Sequence, residues 1–171
     1  MSNFLHPQQG SAGVVTIAST DDSTSVEAQF NPKELQVDKT VPWQKKSQAN
    51  QAGQTGIQLE FTGAEGRSMT LELLFDGFEA KRSVTKQVND LNWMASVLDP
   101  KAADESQRRP HLCVVTWGTM FPSAQKFKCV IESLSVKYTM FSDQGVPLRA
   151  TCTVKLKEAD TVSAAKPSGG K

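Results

Sequence analysis

An excess of charge of either sign is what this sequence most lacks. Across 171 residues, 19 lysines and arginines stand against 18 aspartates and glutamates, a formal net charge of +1. A chain so balanced has no overall field of the kind that drives nonspecific binding to DNA or RNA, so nucleic-acid recognition is not expected. No apolar run approaches the roughly 20 residues that a membrane helix requires. Residues 1–10 also lack the charged start and apolar stretch of an export signal. The chain therefore reads as cytoplasmic when synthesised, with no membrane insertion of its own. Cysteine is scarce: Cys113, Cys129 and Cys152 are odd in number and widely spaced, which suits neither a disulfide framework nor paired metal knuckles. Reduced, buried thiols are expected. His6 and His111 are the only imidazoles, and GxSxG, HExxH, P-loop and strand-borne GxGxxG patterns are all missing. No catalytic residue, metal site or cofactor follows from such a sequence.

What is present is alternation. With 38% hydrophobic and 22% charged residues the composition is that of one ordinary globular domain. Residues 1–12 read as a flexible arm and 159–171 as a flexible tail, leaving a β domain over 13–158. VVTIAS, the Asp-rich turn after it, and Val26, Ala28 and Phe30 form a first hairpin that Asn31-Pro32 breaks. Residues 44–56 hold almost no large apolar side chain and read as a long loop. Ile57, Leu59 and Phe61 alternate with polar residues as a half-buried strand, and Gly63 to Gly66 turns them into a second hairpin with Met69, Leu71, Leu73 and Phe75. One helix is expected near 83–99, because Val84, Val88, Leu91, Ala95 and Leu98 recur at helical steps from a Ser83 N-cap to Asp99-Pro100. LCVVTW at 112–117 is apolar on both faces and reads as an interior strand.

The C-terminal third carries the strongest pattern. Phe127, Cys129 and Ile131 place their apolar face on odd numbers, whereas Leu134, Val136, Tyr138 and Met140 place it on even ones. That phase change predicts a β-bulge near Glu132-Ser133. After a Ser142–Gly145 turn, Leu148, Ala150, Cys152, Val154 and Leu156 alternate with Arg149, Thr151, Thr153, Lys155 and Lys157. The result is a long hairpin with one wet, net basic face bearing Lys137 and Thr139 as well. Two readings stay open: the solvent face of an antiparallel sheet, or the lining of a water-filled channel that several copies close together through their sheet edges. A small-ligand barrel is a weaker alternative, since the apolar face is already needed for the core. Trp93 and Trp117 read as packing residues; Trp43, beside the polar loop, is the aromatic expected to touch a partner.

FNPKEL at 30–35, LEFTGAEGRSMTLELLFD at 59–76, RRPHLCVVTWG at 108–118 and VIESLSVKYTMFSDQGVPLRATCTVKLKE at 130–158 together resemble the contractile injection system tube-type baseplate proteins. Those are the tube-initiator or spike-adaptor subunits of phage-tail-like particles, which often carry a LysM module. The resemblance implies a mainly β fold with one helix, a phage tail-tube-like antiparallel sandwich whose inner sheet joins a ring-wide β-barrel. It implies a structural, non-enzymatic subunit in a six-fold ring with itself, contacting the spike protein, the inner-tube protein and other baseplate components, in an assembled particle. Lys137, Thr139, Arg149, Thr151, Thr153 and Lys155 would then face the lumen, and Trp43, Lys45, Lys46, Gln48, Asn50 and Gln51 would contact the neighbouring subunit or ring. The sequence ends after KPSGGK with no LysM module, so a plain inner-tube subunit at another level of the particle is the alternative.

Overall fold

Strict alternation makes β9 (Pro147–Glu158) the spine of the fold. Its even-numbered residues Leu148, Ala150, Cys152, Val154 and Leu156 are buried, and the odd-numbered ones between them are half-buried or exposed. The structure, a computed structural model, describes residues 13–45, 56–121 and 126–163. The expected arm at 1–12, most of the loop at 44–56 and the last eight residues fall outside that range.

On one side of β9 runs β6 (Ser68–Asp76), paired antiparallel without interruption from Ser68–Lys157 to Asp76–Arg149. On the other side runs β8 (Phe127–Phe141). The remaining strands are β1 (Thr16–Ser19), β2 (Ser25–Glu27), β3 (Gln36–Asp38), β4 (Trp43–Lys45), β5 (Leu59–Phe61) and β7 (Cys113–Thr116). Of the nine strands among the described residues, seven form one antiparallel sheet in the order β2-β1-β7-β8-β9-β6-β3, and β4 and β5 form a separate two-stranded ribbon. This is the mainly antiparallel β architecture with one helix that the sequence predicts. β7 lies between β1 and β8, as expected of a strand apolar on both faces.

Helix α1 (Thr85–Ala95) buries Val88, Leu91 and Met94 against the inner face of β8 and β9. There they join Met69, Leu71, Leu73 and Phe75 of β6 and the even row of β9 in one core. The helix is shorter than the expected 83–99. Its N-cap is Val84, although the Ser83 hydroxyl accepts the Thr85 N–H at 3.1 Å. It stops at Ala95 because the next backbone groups are taken from outside: Leu98 N–H donates to the Arg109 carbonyl, and Val97 bridges Pro110.

The phase change in β8 is a bulge. Ile131 opposes Leu156 and Ser133 opposes Lys155, leaving Glu132 as the extra residue. A second irregularity was not legible in the pattern. Tyr138 opposes Ala150 while Met140 opposes Arg149, so Thr139 is the extra residue there and Met140 crosses to the polar face.

The second hairpin of the sequence reading is overturned. β5 does not pair with β6; it pairs with β4, Trp43 opposite Phe61 and Lys45 opposite Leu59. β6 instead takes β9 and, at its first residues, β3. Nor is the 57–61 segment half-buried, for Ile57 is 75% and Leu59 58% exposed. Alternation reports that a strand has two unlike faces; it does not say which strand lies beside it, or whether the apolar face is covered within the subunit. Phe30 likewise leaves the first hairpin, which ends at Glu27, and is exposed.

Candidate functional site

The polar face of β9 continues across its neighbours. Lys137, Ser135 and Ser133 of β8 stand opposite Thr151, Thr153 and Lys155. Thr70, Glu72 and Asp76 of β6 stand opposite Lys155, Thr153 and Arg149. The result is a broad hydrophilic sheet surface opposite the core. It gathers Lys137, Arg149, Thr151, Thr153 and Lys155 into one field, while Thr139, at the second irregularity, has no cross-strand partner and Met140 occupies the place beside Arg149.

The charges of this face are less basic than the sequence of β8 and β9 suggests. Arg149 donates to Asp76 from Nε at 3.0 Å and also from Nη2. The Lys155 ammonium lies 3.1 Å from Glu132, the residue the bulge inserts. Asp76 is held in its charged form, its carboxyl below the usual range, by the Phe78 N–H and then by the Arg149 guanidinium. Asp76 comes from outside the β8–β9 hairpin, and Glu132 is the residue its bulge inserts, so neither acid belongs to the alternating polar rows of that hairpin.

The sheet also has open edges. Among the described residues β7 pairs with β8 only at 127–129, so from Ser133 onward β8 has a strand neighbour there on one side. The Ala159 N–H donates to the Lys128 carbonyl and the Glu158 N–H to the Arg67 carbonyl, so odd-numbered residues of β9 aim their backbone at β8 and even ones at β6. Ser133, Ser135 and Lys137, which pair with those odd residues, are therefore bonded to β9. Leu134, Val136 and Tyr138 point their N–H and C=O groups away from it. By the same parity the outward groups of β6 belong to its even residues. β3 covers Ser68 and Thr70, and the next two, Glu72 and Leu74, have no strand beside them among the described residues.

The β4–β5 ribbon is the other unusual surface. Trp43 and Phe61 lie with ring centroids 5.5 Å apart, and Trp43 is 56% exposed. With Leu59, Ile57 and Val41 also exposed, the ribbon offers an apolar surface that nothing in the described residues covers. Trp43 and Lys45 lie on it; Lys46, Gln48, Asn50 and Gln51 lie outside the described residues.

One buried polar cluster could be mistaken for catalytic machinery. The Ser19 hydroxyl lies 2.8 Å from His111 Nδ1, and Asp22 is 3.9 Å from the same nitrogen. Ser19 and His111 are both buried, and His111 Nε2 has no partner among the described residues. A relay of the Ser–His–Asp kind uses the two ring nitrogens for different partners; here both fall on one. The Ser19 oxygen accepts the N–H groups of Asp21 and Asp22, so its own hydrogen is left for Nδ1, and the neutral ring carries its proton on Nε2. Trp93 closes the cluster, edge-on to the imidazole at 5.4 Å and donating its indole N–H to Asp22 at 2.8 Å. Arg109 holds Asp21 through both terminal nitrogens. This clasp ties the β1–β2 turn to the helix and to the strand that follows.

Burial lowers the proton affinity of His111 below its ordinary value, with Asp22 and Asp21 opposing only in part. The unfolded chain therefore takes up this proton first, and stability should begin to fall as pH drops below about 6.5. Asp21, Asp22 and Glu158, whose carboxyls are held low, act only below about pH 4. Thermal midpoints at pH 7.5 and 5.0 should thus differ for the natural chain and much less for His111→Gln; equal slopes in the two would remove His111 from the account.

The three cysteines are free and buried. Burial pushes the Cys113 thiol up to about 12 and the Cys152 thiol up to about 11, with Cys129 higher still. Such thiols are core residues, with almost no thiolate at neutral pH. Among the described residues no group of histidine, cysteine and acidic side chains is placed to hold a metal ion, and no helix is long and apolar enough to cross a membrane.

Compared with known proteins, the chain matches no curated sequence. Residues 15–166 match the family model described as contractile injection system tube protein.

Proposed function

The chain belongs to the contractile injection system tube protein family and is a structural subunit of such a system, and from that premise we propose that it forms a six-fold ring at the baseplate. The ring joins the spike to the inner tube and gives the tube its first layer. The observation that carries this reading is the β6–β9–β8 sheet, whose hydrophilic face ends on both sides in edges with open backbone groups. A sheet with one wet face and two open edges extends by adding a copy of itself, and a rotation that closes makes a ring rather than a filament. Lys137, Arg149, Thr151, Thr153 and Lys155 then line the bore. Thr139 lies at the rim, beside the turn that ends β8.

The β4–β5 ribbon supplies the second contact. Trp43, Phe61 and Leu59 form an apolar patch that fits an adjacent subunit or ring, with Lys45 at its margin and Lys46, Gln48, Asn50 and Gln51 in the segment it carries. A small-ligand barrel is disfavoured, because Leu148, Ala150, Cys152, Val154 and Leu156 fill the apolar side of β9 with core.

Electron microscopy of the purified chain, alone and with spike and tube proteins, tests the reading. Six-membered rings with Arg149 and Thr151 on the bore are expected, and a labelled subunit should sit between spike and tube. Finding those side chains on the outer wall of the ring would overturn the assignment.

A further inference from the structure

The outward edge of β6 is not uniformly open. Its first residues are covered by β3, and its last, Asp76, is covered by something that is not a strand. The Gln29 side-chain amide donates from Nε2 to the Asp76 carbonyl at 2.8 Å and accepts the Asp76 N–H on Oε1 at 2.7 Å. A primary amide bonded in this way reproduces both hydrogen bonds that a neighbouring strand would make to that residue. Asp76 lies in the outward-pointing parity of β6, so these two bonds occupy the ladder position itself. They are solvent-exposed. Among the described residues, Glu72 and Leu74, between β3 and Gln29, are the edge positions left open.

We propose that Gln29 is a removable edge guard: its amide occupies the Asp76 ladder position that a strand of a second copy takes in the assembly, and delays pairing until that strand displaces it. The guard rests on the reading that copies join through their sheet edges. Two features suit it to this task. It matches the backbone it replaces, so displacement exchanges equivalent hydrogen bonds rather than stranding a buried polar group. It also sits on an exposed side chain after β2 has ended at Glu27, so withdrawing it disturbs neither the core nor a strand of the subunit. The Asp76 carboxylate stays in place meanwhile, fixed by Arg149 and the Phe78 N–H.

Gln29→Met keeps the length of the side chain and removes both hydrogen bonds. The purified full-length variant, followed by light scattering and native mass spectrometry over a concentration series, should form oligomers about tenfold faster than the natural chain, or at about tenfold lower concentration. Its monomer should melt within about 3 °C of the natural midpoint. Oligomer distributions identical to those of the natural chain at every concentration, including both remaining monomeric, would overturn the guard, as would slower assembly. Tyr138→Pro in the same background separates this from the ring reading. Faster assembly that the proline abolishes supports both. Faster assembly that survives the proline upholds the guard and removes β8 as its partner edge.

Discussion

Tyr138→Pro is expected to leave a folded subunit that no longer closes into rings. The Tyr138 N–H points away from β9, since its opposite residue Ala150 directs its own backbone toward β6. Proline there deletes a donor from the open edge and spares the ladder to β9, a strand setting in which proline is tolerated. The side chain given up is 39% exposed, with its ring 6.3 Å from that of Phe141, so little core is lost. Circular dichroism should show a native β spectrum, and electron microscopy should find rings at least tenfold rarer than for the natural chain. Normal rings would mean that the β8 edge is not the contact. Proline at Lys137 would instead remove a bond to β9, and its main effect should be on folding.

A paired comparison of two phenylalanines gives the second large effect. Phe75 is 1% exposed and Phe61 is 50% exposed, although both lie on strands with alternating patterns. Phe75→Ala should destabilise the subunit by about 3–5 kcal/mol, through lost transfer energy and the cavity left in the core. That corresponds to a midpoint lowered by about 10 °C. Phe61→Ser should leave the midpoint of the monomer nearly unchanged, yet weaken association wherever the ribbon docks. Chemical denaturation of each variant, beside its sedimentation profile, reads both quantities. Equal destabilisation by the two substitutions would show that the ribbon packs on its own subunit.

These two residues also show where the sequence stops being informative. The period-two rows of β6, of β9 and of β8 before its bulge were legible because one face of each is buried within the subunit, and the bulge at Glu132 was legible because the apolar row changes parity there, although Leu134 and Val136 beyond it are only half-buried. Ile57, Leu59 and Phe61 carry the same pattern for a surface that the subunit leaves open, and period alone cannot separate the two cases. The irregularity at Thr139 escaped because Met140 is apolar and even-numbered like the row before it, whereas its place is beside Arg149. Contacts between distant side chains leave no local trace at all. Gln29 reaches Asp76 across 47 positions and Arg149 reaches it across 73, so neither the edge guard nor the neutralised arginine could be seen before the strands were placed side by side. The clasp of His111 to Ser19, Asp22 and Trp93 depends on the fold and left no mark in the sequence.

The bulge at Glu132 bears on what the proposed bore would admit. With Glu132 beside Lys155 and Asp76 answering Arg149, two cations of this face are matched by acids from other strands, while Lys137 stands opposite Thr151. In the proposed ring a wall so blended would grip charged passengers weakly, and their calibre would matter more than their sign.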